Sequence, residues 1–498
     1  MRLMPQIAAA FLALLLAACQ RPDPPAGIPA HLLEIIEANR AIALPPFPED
    51  FRERADAFLT QGLTHEEDVR VSRERRRAIL APNEGIREIF PDNDPARSIS
   101  REEASEDLRF LFDLMKYAYA GYQYFGGDDV FLPIRDSMLE RLAEMESPLA
   151  GLSFLNDILV PGLWPAIADN HFQLHDVTLG APRRRALMSE EFVLRKGSDG
   201  YSTKIDGDEY RLVEAALGGQ KVEGVLPTLT REGEAAYAFG HFADWNQLGI
   251  QALSVTLESL ATGDLLTLAL RLWPLPSFDW PTTLFHQYET NGVPVVVNRT
   301  LSYPYATSDA TKIFRESGAS LRGAPVVLLD LRGNGGGLPN PMLFWIGALT
   351  GNWSLGRAFG VFNFRSMSNG LGSGPRWTTG LEPFVSAPAL PNESLIIALT
   401  DNNIGSAGDL IVGHLRELEN VIFVGTNTKG ALVTGGVVRN VLPHSGIAVI
   451  FGIQLHLRPD FSQFEGVGFM PDLWVPPDQS LHRVLAFIER YGLLRGAK

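Results

Sequence analysis

Two glycine-rich breaks, each set straight after an apolar run, hold the residues with the clearest chemical potential in this chain. Pro325 to Gly337 reads PVVLLDLRGNGGG, and Gly405 to Asp409 reads GSAGD. The first break offers backbone N–H groups with few side chains in the way. The second presents a lone serine, Ser406, at the start of a helix-length segment. Unpaired N–H groups and the helix dipole favour negative charge there, and the N–H of Ala407 is a natural oxyanion donor. A nucleophile and an anion hole are the two things acyl transfer needs. Each motif also has a plainer reading. Ser406 can be an N-cap, with Asp409 completing a capping pair. The glycines can be a simple turn. A phosphate loop fits poorly, because no Gly-Lys-Ser/Thr follows and the spacing is not that of a dinucleotide fingerprint.

The elements that must carry these residues form an alternating pattern. From about residue 292, strand-like runs occur at Val295–Asn298, Val326–Asp330, Leu395–Thr400, Val421–Val424 and Ile447–Ile453. Helix-length amphipathic segments lie between several of them, such as the face made by Leu410, Ile411, His414, Leu415 and Leu418. Alternation of this kind predicts an α/β fold with at least part of the sheet parallel. Ligands in such sheets sit at the carboxyl ends of strands, where both glycine-rich breaks fall. Ser480 to Leu494 reads as a closing helix. From about 30 to 165 the pattern is helical, most clearly after the capping box at Ser100-Arg101-Glu102-Glu103. Between about 186 and 285, short strand-like runs such as Tyr210–Val213 and Leu265–Leu272 take over.

The chain has 498 residues, 45% hydrophobic and 20% charged, enough for two or three domains with real cores. A net charge of −15 argues against a nucleic-acid partner, which needs a basic face. The arginine clusters at Arg73–Arg77 and Arg183–Arg185 read as solvated surface. At the N-terminus, Arg2 is followed by an apolar run from Ile7 to Ala18, too short to span a membrane and shaped like a signal-peptide core. Cys19, the only cysteine, follows Leu16-Ala17-Ala18 directly. This resembles the bacterial lipoprotein processing box, which implies lipidation of Cys19. The expected setting is the cell envelope, anchored to a membrane and facing the periplasm or the outside. Gln20 is compatible with outer-membrane sorting. A plain secretory signal is the alternative. A single cysteine also means no intrachain disulfide.

Four motifs in order carry a family resemblance. Asp330-Leu331-Arg332-Gly333-Asn334-Gly335-Gly336-Gly337 resembles the DLRxNxGG signature of peptidase family S41, the tail-specific or C-terminal processing peptidases, which include the tricorn protease. Ser406-Ala407-Gly408-Asp409 resembles their nucleophile segment. Gly425-Thr426-Asn427-Thr428-Lys429-Gly430 resembles their Gly-x-x-Thr-x-Gly turn, and Glu465 to Asp472 their closing Gly-x-x-Pro-Asp segment. The resemblance covers roughly residues 290–490. It implies a ClpP/crotonase-like α/β core and serine peptidase activity on proteins or peptides, with no cofactor. The carboxylate-binding loop of a PDZ domain is not recognisable in residues 186–285, so tail specificity is not implied. A catalytically inactive relative that binds peptides or scaffolds an envelope complex is the alternative. An esterase on the same serine would lack its Gly-x-Ser-x-Gly elbow, since residue 404 is Ile.

A serine needs a base. In one branch of the family a lysine follows the glycine that closes the Gly-x-x-Thr-x-Gly turn, but here that position holds Ala431. Lys429, inside the turn, is the alternative base. The tricorn-like branch uses a histidine in an Asp-x-His motif and a glutamate near the C-terminal end. By that resemblance, Asp169-Asn170-His171 supplies His171 as general base and Glu465 supports the site. The oxyanion donors carried over are the N–H of Gly336, or of Gly335, with that of Ala407. His171 can equally be a structural histidine, and His414, His444 and His456 are rival bases. His171 and His175, four apart, could share a metal on a helix. The alternation from His171 to Val177 suggests a strand instead, and the spacing is not His-Glu-x-x-His, so no metal is expected. The implied division is a signal peptide at 1–18, a tether at 19–29, a mainly helical region at 30–185, a β-rich middle at 186–285 and a peptidase core at 286–498.

Overall fold

The computed structural model describes residues 97–244, 251–302, 308–353, 361–364, 377–378, 390–457 and 464–494, with a few single positions before 97. Cys19, the signal-like run and Arg73–Arg77 lie outside the described residues.

The first long helix, α1 (Arg101–Ala118), starts at the expected capping box. Ser100 Oγ accepts from Glu103 N at 3.1 Å, and Glu103 Oε2 accepts from Ser100 N at 2.8 Å. Its Leu108, Leu111, Phe112 and Met115 are buried, and α2 (Gly127–Glu144) packs beside it. After a further helical stretch at 151–163, two tiny strands, β1 (Gln173–Leu174) and β2 (Val177–Thr178), make a hairpin. The alternation after His171 therefore yields only this hairpin. His171 itself lies in a turn organised by Asp169, and His175 bends the chain with φ 54°. The two histidines share no helix.

Residues 184–274 give strands and, among the described residues, no helix: β3 (Arg184–Gly197), β4 (Gly200–Ile205), β5 (Asp208–Leu217), β6 (Gln220–Val222), β7 (Val225–Leu229), β8 (Ala235–Asp244), β9 (Gln251–Ser259) and β10 (Leu265–Pro274). The antiparallel order β10-β9-β5-β4-β3 closes on itself, because β10 also pairs with β3 through Trp273–Met188 and Pro274–Leu187. Closure removes the open edges of these five strands. Leu187, Leu194, Leu253, Val255, Leu257, Leu270 and Leu272 fill the interior.

The expected α/β architecture follows. Strands β11 (His286–Thr290) and β12 (Val293–Val297) form a hairpin; then β12, β13 (Val326–Asp330), β16 (Leu395–Thr400), β17 (Val421–Gly425) and β20 (Leu473–Trp474) run parallel in that order. Helices α3 (Ser308–Ser320), α4 (Asn340–Thr350) and α5 (Ala407–Leu415) contribute Phe314, Trp345, Ile346, Ile411 and Val412 to one face, against Val327, Leu329, Ile396 and Ala398. On the other face, α6 (Pro477–Arg490) packs Val484, Phe487 and Ile488 against Val326, Leu328, Ile397 and Leu399. Alternate residues of each strand thus enter opposite cores, which is why these strands read as unbroken apolar runs.

A second sheet is antiparallel. It joins β14 (Val361–Phe364), β15 (Trp377–Thr378), β18 (Thr434–Val441), β19 (Ala448–Leu457) and the β1–β2 hairpin. The apolar run at Ile447–Ile453 therefore belongs here and not to the parallel sheet. Val449, Phe451 and Ile453 pack against α1 with Phe172 and Leu174. This packing ties the Asp169–His171 turn to the core. No helix among the described residues is long and apolar enough to cross a membrane.

Candidate active site

Three neighbouring parallel strands, β13, β16 and β17, end beside one another. Their carboxyl-end loops hold the glycine loop, Ser406 and Lys429. The first two loops are in direct contact. Gly405 N donates to Asn334 O at 3.0 Å, and Asn334 Nδ2 donates to Asn298 Oδ1 at 2.8 Å. Gly336 has φ 103° and faces Ser406. A Cβ there would lie 2.7 Å from Ser406 Cβ, 2.8 Å from Gly405 O and 2.9 Å from Ala407 N. Only glycine tolerates both that backbone conformation and that approach.

Ser406 sits at the N-cap position of α5, but its side chain caps nothing. Asp409, which would complete a capping pair, instead accepts from Ala431 N at 2.8 Å. Ser406 also has φ 56° and ψ −125°, a conformation that costs a non-glycine residue about 1–3 kcal/mol. Strain at a serine with a free hydroxyl, against a glycine that must be glycine, is not what a simple cap requires.

Among the proposed donors, Gly336 N donates internally to Asn334 Oδ1 at 3.0 Å. The N–H groups of Gly335 and Ala407 have no protein acceptor among the described residues. Gly336 is therefore the close-approach position of the loop, and its neighbours hold the unspent donors.

The Asp169–His171 turn arrives from the helical side. Asp169 is fully buried; its Oδ2 accepts from Tyr119 Oη at 2.8 Å and from Thr434 Oγ1 at 2.7 Å, and its Oδ1 accepts from His171 N at 2.8 Å. The His171 ring is mostly buried. Its Nδ1 lies 4.0 Å from Asp169 Oδ1 and has no hydrogen-bond partner. Burial pushes its pKa below the ordinary histidine value; Asp169 opposes this and the charge of Lys429 adds to it. Glu465 does not touch the ring. Its Oε1 accepts from Asn170 N at 2.7 Å, and its Oε2 accepts from Leu432 N and Val433 N at 2.9 Å each. Glu465 thus clips the histidine turn to the segment after Lys429. Burial and then Asp169 push its pKa above the ordinary glutamate value, against the pull of these N–H donors.

Lys429 runs along the nucleophile loop, and a Cβ on Gly405 would lie 3.1 Å from its Cδ. Burial, then Arg183, depresses its pKa, while Asp409 and Glu465 oppose the fall. Among the rival histidines, His414 Nδ1 pairs with Glu417 Oε1 at 2.9 Å, and His444 Nε2 meets Glu106 Oε2 at 2.8 Å; both serve structure. His456 lies near His171, and burial takes its pKa down to about 4. The described residues hold no cluster of His, Cys, Asp and Glu that could bind a metal.

Arg184 and Arg185 are not the solvated surface expected of them. Arg184 stacks over Phe242 with Cζ 4.7 Å from the ring centre. Arg185 is half-buried beside Asn402. With the Asn402 amide oriented to satisfy every partner, its oxygen accepts from Arg185 Nε at 2.6 Å and Nη2 at 3.0 Å, and its nitrogen donates to Ser277 Oγ at 3.0 Å. A run of three arginines carries no signal that its strand will turn inward.

Asp409 provides a test of the local electrostatics. Burial raises its pKa from 3.8 to about 6. The folded state therefore holds this proton more tightly than the unfolded chain does. That stability is fully present below about pH 4 and is lost as pH rises through about 6. Relative to Asp409→Asn, which has no proton to lose, the wild type should forfeit about 3 kcal/mol between pH 3 and 7. Urea unfolding of both proteins at the two pH values checks this; an equal difference at both would refute it.

Residues 300–475 match the family model of peptidase family S41, a stretch that includes the glycine loop, Ser406, Lys429 and Glu465. Over that stretch the chain is similar to S41 peptidases. Solved structures similar to it include mature CPAF, at 15% identity, covering 79% of this chain and 98% of that one with a TM-score of 0.39. A photosystem II D1 C-terminal processing protease aligns at 15% identity over 77% of this chain and 97% of that one, with a TM-score of 0.35. An S41 protease from Bacteroides fragilis aligns at 15% identity over 78% and 97%, with a TM-score of 0.35. No curated protein matches the chain.

Proposed function

We propose that this chain is a serine-type peptidase of the cell envelope, lipidated at Cys19, which cleaves peptide bonds through an acyl-enzyme on Ser406. The observation that carries the reading is the contact between Gly336 and a strained, uncapped Ser406. In the first step Ser406 Oγ attacks the scissile carbonyl carbon while His171 takes its proton. The carbonyl oxygen becomes an oxyanion held by the N–H groups of Gly335 and Ala407. The C–N bond then breaks, and the proton passes from His171 to the leaving amine. Water, deprotonated by the same imidazole, releases the acyl group. Glu465 acts by fixing the His171 turn against the segment 431–433.

A fluorophosphonate probe tests the chemistry directly: the Oγ–P bond forms as fluoride leaves, and only an activated serine reacts. Intact-mass and peptide mapping should find one adduct, at Ser406. No adduct would favour a non-catalytic, peptide-binding relative.

A further inference from the structure

The chain between β10 and β11, Leu275 to Phe285, lies over both site loops and fastens them to each other. Leu275 N donates to Ala186 O at 3.0 Å, at the start of the strand ring. Ser277 Oγ meets Asn402, and Phe278 O accepts from Asn403 Nδ2 at 2.7 Å, both in the loop leading to Ser406. Trp280 Nε1 then donates to Asp401 Oδ2 at 2.7 Å. The other oxygen of Asp401 accepts from Gly333 N at 2.9 Å, in the glycine loop, and from Asn403 N at 3.1 Å, in the serine loop. One buried carboxylate thus ties the two loops together, and the indole occupies its remaining oxygen.

The ring of Trp280 is itself held. The guanidinium carbons of Arg332 and Arg299 lie 4.2 Å and 4.6 Å from its centre. Both arginines pair with Asp330, Arg332 at 2.7 Å and Arg299 at 2.6 Å. Trp280 Cβ fills the space that a Cβ on Gly333 would need, at 2.9 Å. The residue therefore touches the first glycine of the loop, the arginine before it and the carboxylate that joins that loop to the serine loop.

We propose that Trp280 is a positioning residue for peptide hydrolysis: through Asp401 it sets the spacing between the glycine loop and Ser406, and hence the fit of the oxyanion. This rests on Ser406 being the nucleophile. Trp280 reaches no substrate atom in this role, so it governs the chemical step and not binding. A misplacement approaching 1 Å at such a site costs up to about 100-fold in rate.

The test uses the full chain with Trp280→Phe, which keeps an aromatic ring beside the arginines and removes the N–H, and Asp401→Asn. Trp280→Phe should lower kcat about 10- to 100-fold with KM unchanged, and slow fluorophosphonate labelling of Ser406 by the same factor. Combining it with Asp401→Asn should cost little beyond the larger single loss, because both break one linkage. Two outcomes overturn the proposal: labelling at the wild-type rate, or a loss confined to KM. If the melting temperature of Trp280→Phe falls steeply, labelling is compared well below it, where a purely structural role restores the wild-type rate and so refutes positioning. Failure of the underlying reading looks different, because then the wild type itself does not label at Ser406.

Discussion

Replacing Ser406 with alanine is expected to lower kcat for a peptide substrate by a factor on the order of 10⁶ and to abolish fluorophosphonate labelling. The fold should not notice. The Ser406 side chain makes no capping bond, so no buried donor or acceptor is orphaned by its loss. Its contact with Gly336 is through Cβ, which alanine keeps. The unusual backbone conformation is as costly for alanine as for serine, so the variant neither gains nor loses from it. The residual activity should still exceed that of water, since the oxyanion donors remain. A melting temperature within a few degrees of wild type, measured beside the activity loss, separates chemistry from collapse. Retained hydrolysis by Ser406→Ala would remove the serine from the mechanism.

His171→Gln is expected to cost nearly as much, about 10⁴- to 10⁶-fold in kcat, because a nucleophile and its base act as one unit. The turn should survive, since Asp169 holds residue 171 by its backbone N–H. The pH profile supplies the second readout. The working form is the neutral imidazole, so the rate rises as pH climbs through the His171 pKa. Burial depresses that pKa below the ordinary 6.5, and the rate should therefore be level by neutrality. Lys429 offers the opposite pattern. Its pKa is depressed from a lysine value of 10.5, and a lysine base would be lost with Lys429→Ala while His171→Gln stayed active. A profile still climbing well above neutral pH, together with that mutational pattern, would move the base to Lys429.

Much of the core was legible because of how it is buried. Val326–Asp330 and Leu395–Thr400 are covered on both faces and hence read as apolar runs, each ending on one polar residue, with the observed bounds. The Ser100 capping box is local chemistry and appears as written. An apolar run does not name its partners, however, so Ile447–Ile453 gave no sign that its strand joins an antiparallel sheet with the hairpin after His171. The serine had two readings at a helix start, and only its backbone angles and uncapped hydroxyl separate them. Trp280 was out of reach altogether. It lies among prolines in a stretch without periodicity, and its partner Asp401 is 121 residues away. The inward turn of Arg184 and Arg185 likewise depends on distant loops and not on their own run.

The clip between Asn170 and Glu465 spans 295 residues. Because the chain emerges N-terminus first, the histidine turn must wait for the carboxylate that fastens it. The strand ring, closed by the pairing of Trp273 with Met188, has a far shorter wait. The histidine turn therefore gains its clip only after the serine and every loop around it have emerged. On the proposed assignment, a protein-cutting centre whose base is secured last stays incomplete while its own unfolded chain is within reach.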